Sequence, residues 1–166
     1  MSEPRELLAN DHDAVGEVLQ QLLTALNDND VCESHAKLDL LWARLAVHIR
    51  AEHLHLFPAV AARVTEAETV IENLRADHDF FMRELAQALG LLREETLSSV
   101  LDTIRKVEER LASHNEIEER LVYAWAGSVL TDSEQTALAA RINAELEKRP
   151  PRFALETWTN RPSDHD

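Results

Sequence analysis

At 166 residues the chain has the length of one domain and can bury a sizeable core. Its formal net charge of −14 leaves no basic face for nucleic-acid phosphates or for an anionic membrane surface. Only three Gly and five Pro occur among 45% hydrophobic and 29% charged residues, so long helices with few connections are expected.

In chain order, Ser2 is placed to cap a first helix with Pro4 in its first turn. Leu8, His12, Val15, Leu19, Leu22 and Leu26 mark its buried face, and Asn27-Asp28-Asn29-Asp30 ends it. A second helix is expected from about Glu33 to Arg63, with the face Leu38, Leu41, Leu45, His48, Glu52, His55 and Ala59 and a kink or tightening at Pro58. The third spans about Glu66 to Leu92 on the face Ile71, Leu74, His78, Phe81 and Leu85, with Gly90 weakening its end. The fourth starts near Thr96 or Ser98, carries Val100, Ile104, Val107, Leu111, His114, Glu118, Leu121 and Trp125, and is expected to stop at Gly127. Thr131 to Glu134 reads as a capping box that opens a shorter fifth helix, ended by Pro150-Pro151. Phe153, Leu155 and Trp158 in the tail are expected to pack on the body.

These elements predict an all-α fold: an antiparallel, up-down-up-down four-helix bundle with a shorter fifth helix and a C-terminal tail. The bundle takes residues 1–128, and the last helix and tail take 129–166. The lone Cys32 cannot form an internal disulfide, and neither a signal peptide nor a membrane span is visible, so the expected location is the cytoplasm.

Six residues form two copies of one pattern 66 residues apart: His12, His48 and Glu52, then His78, His114 and Glu118. The surroundings repeat as well. Asp11-His12-Asp13 matches Asp77-His78-Asp79, and Arg44-Leu45-Ala46 matches Arg110-Leu111-Ala112. All six lie on apolar stripes, where an unpaired carboxylate would be destabilising by several kcal/mol, roughly. A pair of metal ions removes that penalty. His48–Glu52 and His114–Glu118 are at i,i+4 spacing, so each pair shares one helix face, and each Glu can bridge two metals. His12 and His78 enter from the other two helices. The mixed nitrogen and oxygen shell suits iron first and manganese second, with zinc a poorer match. Ferritin-like oxidases use Glu-x-x-His instead, and this chain has no inward Glu on its first and third helices.

From about Leu7 to Trp125 the chain resembles the hemerythrin-like (HHE cation-binding) family, through His12, His48-Ile-Arg-Ala-Glu52, His78, and His114-Asn-Glu-Ile-Glu118, with Leu56-Phe57-Pro58 following the second element. The resemblance implies a non-haem di-iron centre in which two iron ions are joined by an oxo or hydroxo bridge. His12, His48, His78 and His114 would be terminal ligands, and Glu52 and Glu118 bridges. It also implies binding or sensing of O2, peroxide or nitric oxide. Two positions depart from the oxygen-carrying members. Leu74 stands where they have a fifth histidine, and Glu118 follows its His by four residues where they have Asp at five. Both bear against reversible oxygen carriage and favour a more open centre that reacts with its ligand. The alternatives are an enzyme that decomposes peroxide or performs other di-iron oxidations, and an iron-handling or structural metal-binding bundle.

Other polar residues are expected to be peripheral. His55 lies two turns past His48, roughly 10 Å along the axis, too far for the same metal. His53 is expected to face a neighbouring helix or solvent, Glu119 a surface ion pair, and Tyr123 and Trp125 the core. His35 and His165 are expected to be exposed.

Overall fold

The computed structural model describes residues 3–148. The expected Ser2 cap, the Pro150-Pro151 stop, the tail contacts and His165 lie outside them. The helices are α1 (Pro4–Asn27), α2 (Val31–Ala51), α3 (Phe57–Ala61), α4 (Ala67–Arg93), α5 (Leu97–Ile117), α6 (Tyr123–Val129) and α7 (Asp132–Leu146). A π-helical turn, Glu52–Leu56, joins α2 to α3, and a second, Glu118–Val122, joins α5 to α6. Each series α2–π–α3 and α5–π–α6 is thus one long helix with a single wide turn.

Around the bundle α1 packs on α2 and α5, α2 on α4, and α4 on α5, so the four long helices close a ring. The links between them are short, which makes chain neighbours antiparallel. Two of these links have one construction. Asn29 and Glu95 adopt left-handed backbone at φ 55° and 58°. After α1, Asn29 N–H donates to Leu26 and Asp30 N–H to Ala25. After α4, Glu95 N–H donates to Leu92 and Thr96 N–H to Leu91. Both are Schellman turns, and Asn29 and Glu95 are themselves 66 residues apart. The Asp30 carboxylate then accepts from Glu33 N–H at 3.0 Å and starts α2.

The core divides into two apolar clusters with the polar layer between them. One holds Val15, Leu19, Leu41, Leu45, Phe81, Leu85, Val107 and Leu111. The other holds Leu8, Ala51, Phe57, Val60, Ile71, Leu74, Val122 and Ala126, and includes Leu138 and Ile142 of α7. On α1, for example, His12 stands between Leu8 of one cluster and Val15 of the other. α7 opens on the expected capping box, with Thr131 and Glu134 each accepting from the other's backbone N–H. It packs against α1, α2 and the first π turn.

Three expectations are corrected here. α4 ends at Arg93, close to its expected end, whereas α6 runs through Gly127 to Val129, past the expected stop, with no positive φ at that glycine. Pro58 does not tighten its helix: the turn before it is widened. Proline is not the cause, because the matching turn is followed by Ala124 at the equivalent position. Finally, each wide turn holds one residue more than an α-turn and rotates everything after it. The buried residues are therefore Leu56, Phe57 and Val60, where His55 and Ala59 were expected. In the second copy they are Val122 and Ala126, where Leu121 and Trp125 were expected, together with Tyr123, which was expected in the core.

Glu95 pays a steric penalty for its left-handed backbone that glycine would not. Glu95→Gly is expected to raise the unfolding free energy by about 0.5–1 kcal/mol, read by urea denaturation. A loss of stability would mean that the Glu95 side chain contributes more than its backbone conformation costs.

Candidate metal centre

The six residues singled out by the repeat converge on one point. His12, His48, His78 and His114 are buried, and Glu52 and Glu118 have no exposed surface at all. In every histidine Nδ1 faces outward to a partner and Nε2 faces inward. His48 Nδ1 lies 2.8 Å from Asp11 Oδ2, and His114 Nδ1 lies 3.1 Å from Asp77 Oδ2. Asp11 and Asp77 are in turn held by Arg44 at 3.2 Å and Arg110 at 2.8 Å. His12 Nδ1 is 3.0 Å from Glu119 Oε1, and His78 Nδ1 is 2.7 Å from His53 Nε2.

A carboxylate accepts only, so Asp11, Asp77 and Glu119 each require a proton on the Nδ1 they face. In the neutral ring that leaves Nε2 as a lone pair. The inward nitrogens meet little but other acceptors. His78 Nε2 and His114 Nε2 are 3.1 Å apart. His48 Nε2 is 3.2 Å from Glu52 Oε1, and His114 Nε2 is 2.9 Å from Glu118 Oε1. Glu52 Oε1 also approaches His78 Nε2 at 3.5 Å, which places it between the two hairpins. His48 Nε2, Glu52 Oε1 and Glu118 Oε1 are buried without a hydrogen-bond partner, since the short contacts among them lack the required direction. Such a cluster of acceptors demands cations at its middle. One atom each from Glu52, His78, His114 and Glu118 lie within 4.8 Å of one another, and so do atoms from His12, His48 and Glu118. The donors present therefore form two overlapping groups able to hold metal, with Glu118 in both.

Electrostatics report the same demand. Burial works against charge on His48, yet the Glu52 carboxylate, aided by Asp11 and Glu118, raises its pKa to about 10. Burial likewise opposes charge on His114, and Glu118, Glu52 and Asp77 outweigh it and raise its pKa. Burial and the neighbouring Glu118 charge raise Glu52 to about 7. Burial would raise Glu118 too, but the imidazoles of His114, His12 and His78 around it bring it well below the usual carboxylate range. Burial lowers His78 to about 4. In the metal-free chain protons thus take the place of cations.

Several residues outside the repeat touch the centre. The Tyr123 hydroxyl donates toward Glu118 Oε2 at 3.2 Å and Glu52 Oε2 at 3.3 Å, and lies 3.0 Å from His12 Nε2. Burial and the two carboxylates hold it protonated. Tyr123 is therefore part of the centre rather than core alone, and Glu119 is bound to His12 rather than to a surface cation. His53 faces a neighbouring helix, as one of its two expected positions, and there meets His78. All three follow Glu52 or Glu118 within the wide turns or directly after them, where α-helical spacing misplaces side chains. Asp11, Asp77, Arg44 and Arg110 did carry a signal, their 66-residue repeat, although no role attached to it. His55 lies away from the centre, 3.5 Å from Glu145 of α7. Trp125 and His35 are both partly exposed, where Trp125 was expected in the core and His35 at the surface. Leu74 is buried in the apolar cluster. A cavity of about 310 Å³ between the start of α1, α6 and α7 is lined by Pro4, Arg5, Gly127 and Gln135 and reaches Tyr123.

The sequence profile of the Hemerythrin HHE cation binding domain matches residues 3–126. The chain belongs to this cation-binding family, and its buried His/Glu cluster is able to hold metal. A crystal structure of a hemerythrin HHE cation binding domain-containing protein from Mycobacterium kansasii is similar, with a TM-score of 0.72 and 25% identity over 89% of this chain and 86% of that one. No functionally curated protein matches the chain. Among the described residues no helix is long and apolar enough to cross a membrane.

Two measurements check this geometry. His48, its pKa raised to about 10, is doubly protonated at neutral pH in the metal-free chain, and a metal must displace the inward proton. Metal uptake is therefore expected to release protons, with apparent affinity rising from pH 6 to pH 8 in a calorimetric titration; affinity that does not change with pH would contradict it. Asp11→Asn is expected to lower metal affinity by about 10-fold or more, since the carboxylate orients His48 and strengthens its donation. Unchanged affinity would deny Asp11 that role.

Proposed function

We propose that the chain holds two iron ions, bound terminally by His12 and His48 on one side and His78 and His114 on the other and bridged by Glu52 and Glu118, and that it binds or reacts with O2, peroxide or nitric oxide there. One observation carries the reading: four imidazole Nε2 atoms and two buried carboxylates face one another, with Nδ1 anchored outside. The nitrogen and oxygen donors suit iron, then manganese, and zinc less well. When bound, iron supplies the redox and small-ligand chemistry.

The protein's own residues set the conditions for it. Asp11 and Asp77 orient two of the rings, and Arg44 and Arg110 fix those carboxylates. Apolar clusters on both sides exclude water. Leu74 offers no donor, which leaves the third-helix side without a further protein ligand. Tyr123 keeps a proton on its hydroxyl beside Glu118 and Glu52. That hydroxyl favours a second reading, turnover of peroxide, in which it would orient the substrate by donating a hydrogen bond. The cavity of about 310 Å³ that Tyr123 helps to line has the volume to admit a diatomic ligand or peroxide.

Elemental analysis of protein reconstituted without oxygen, with optical spectra in the presence and absence of azide, tests this function. About two iron per chain and an azide-shifted spectrum are expected, with at least one metal lost in Glu52→Ala, because the six donors form one coupled set. One zinc without spectral response, or full iron content in Glu52→Ala, would overturn the reading. Peroxide consumption by the loaded protein separates turnover from binding.

A further inference from the structure

The 66-residue repeat makes the two halves of the centre copies of each other, down to the backbone. His12 and His78, His48 and His114, Glu52 and Glu118, Asp11 and Asp77, Arg44 and Arg110, and both wide turns occupy equivalent places. The copies differ at two contacts. His12 Nδ1 meets the carboxylate of Glu119, whereas His78 Nδ1 meets the imidazole of His53, and residues 53 and 119 are equivalent positions. Tyr123 lies 5.6 Å from the His12 ring and tilted 22° to it. Its equivalent Phe57 lies 6.0 Å from the His78 ring at 9°. The two aromatics pack alike, and only one carries a hydroxyl.

We infer that the two metal positions are unequal, Glu119 making the His12–His48 position the tight one and His53 leaving the His78–His114 position weak and the first to lose its metal. This rests on the two-metal reading above. A carboxylate on the outward N–H strengthens an imidazole as a donor and adds negative charge beside the metal. His78 faces an imidazole instead, which brings no carboxylate charge and does neither. The aspartate and arginine supports of His48 and His114 are duplicated, so the difference between the outward anchors falls on this one pair. Glu119 and His53 act through His12 and His78 and are positioning residues. The Tyr123 hydroxyl adds a second inequality, since only the tight side offers a proton donor to a small ligand.

The test is anaerobic titration of the metal-free protein with ferrous iron, followed by calorimetry and native mass spectrometry. Mössbauer spectra of half-loaded samples identify the filled position. Two resolved steps are expected for the unaltered chain. Glu119→Gln should weaken the first step by about tenfold and leave the second unchanged, and it should alter the half-loaded spectrum. The Glu119 side chain is 45% exposed, so this variant is expected to fold, checked by its circular dichroism. His53→Glu should strengthen the second step and close the gap from the other side. The double variant Glu119→His with His53→Glu should reverse which half fills first. Two metals bound in indistinguishable steps, or an order unmoved by these variants, would overturn the inequality while the two-metal reading stands. Fewer than two metals bound by the unaltered chain would overturn that reading and the inequality with it.

Discussion

Everything about the centre depends on which nitrogen of each histidine carries its proton. Asp11, Asp77 and Glu119 are acceptors placed outside the ligand ring, and each fixes a proton on an outward Nδ1. The inward Nε2 atoms are then lone pairs, aimed at two carboxylates with no exposed surface. Such an arrangement cannot persist uncharged in an apolar layer. A proton held by His48 answers part of that demand in the metal-free chain, and a bound cation would answer it in the proton's place. Binding and proton release are consequently two sides of one equilibrium.

The wide turns are the second constraint. In an α-helix, residues four apart share a face; in a π turn, residues five apart do. Glu52 and Phe57 are five apart, as are Glu118 and Tyr123, and both members of each pair are buried. The extra residue therefore lets one helix present a carboxylate and, after it, an aromatic ring against a histidine of another helix. It also turns His53 and Glu119 toward the outward nitrogens. Neither function is available to a regular helix carrying the same residues, so the turns belong to the centre as much as the ligands do.

The bundle and the six convergent residues are legible in the sequence because both follow from regular periodicity. Leu8, Val15 and Leu19 mark a face by 3.6-residue spacing, and the 66-residue offset pairs each histidine with its copy. What surrounds the ligands is less legible. Past Glu52 and Glu118 the periodicity shifts by one residue, so Leu121 and Trp125 looked inward where Val122, Tyr123 and Ala126 are. Proline gives no warning of it, since the second turn forms without one. Asp11 and Asp77 were visible as repeated context, but a surface aspartate and a histidine-orienting one read alike until the helices are packed. His53 and Glu119 differ from each other, so a search for repetition passes over the pair that breaks the symmetry.

Anomalous-scattering crystallography of the iron-reconstituted protein tests the central claim most directly. Two iron peaks per chain are predicted inside the ring of Nε2 atoms, one against His12 and His48 and one against His78 and His114, with Glu52 and Glu118 between them. A single peak, or iron bound elsewhere with the Nε2 ring still empty, would contradict the account.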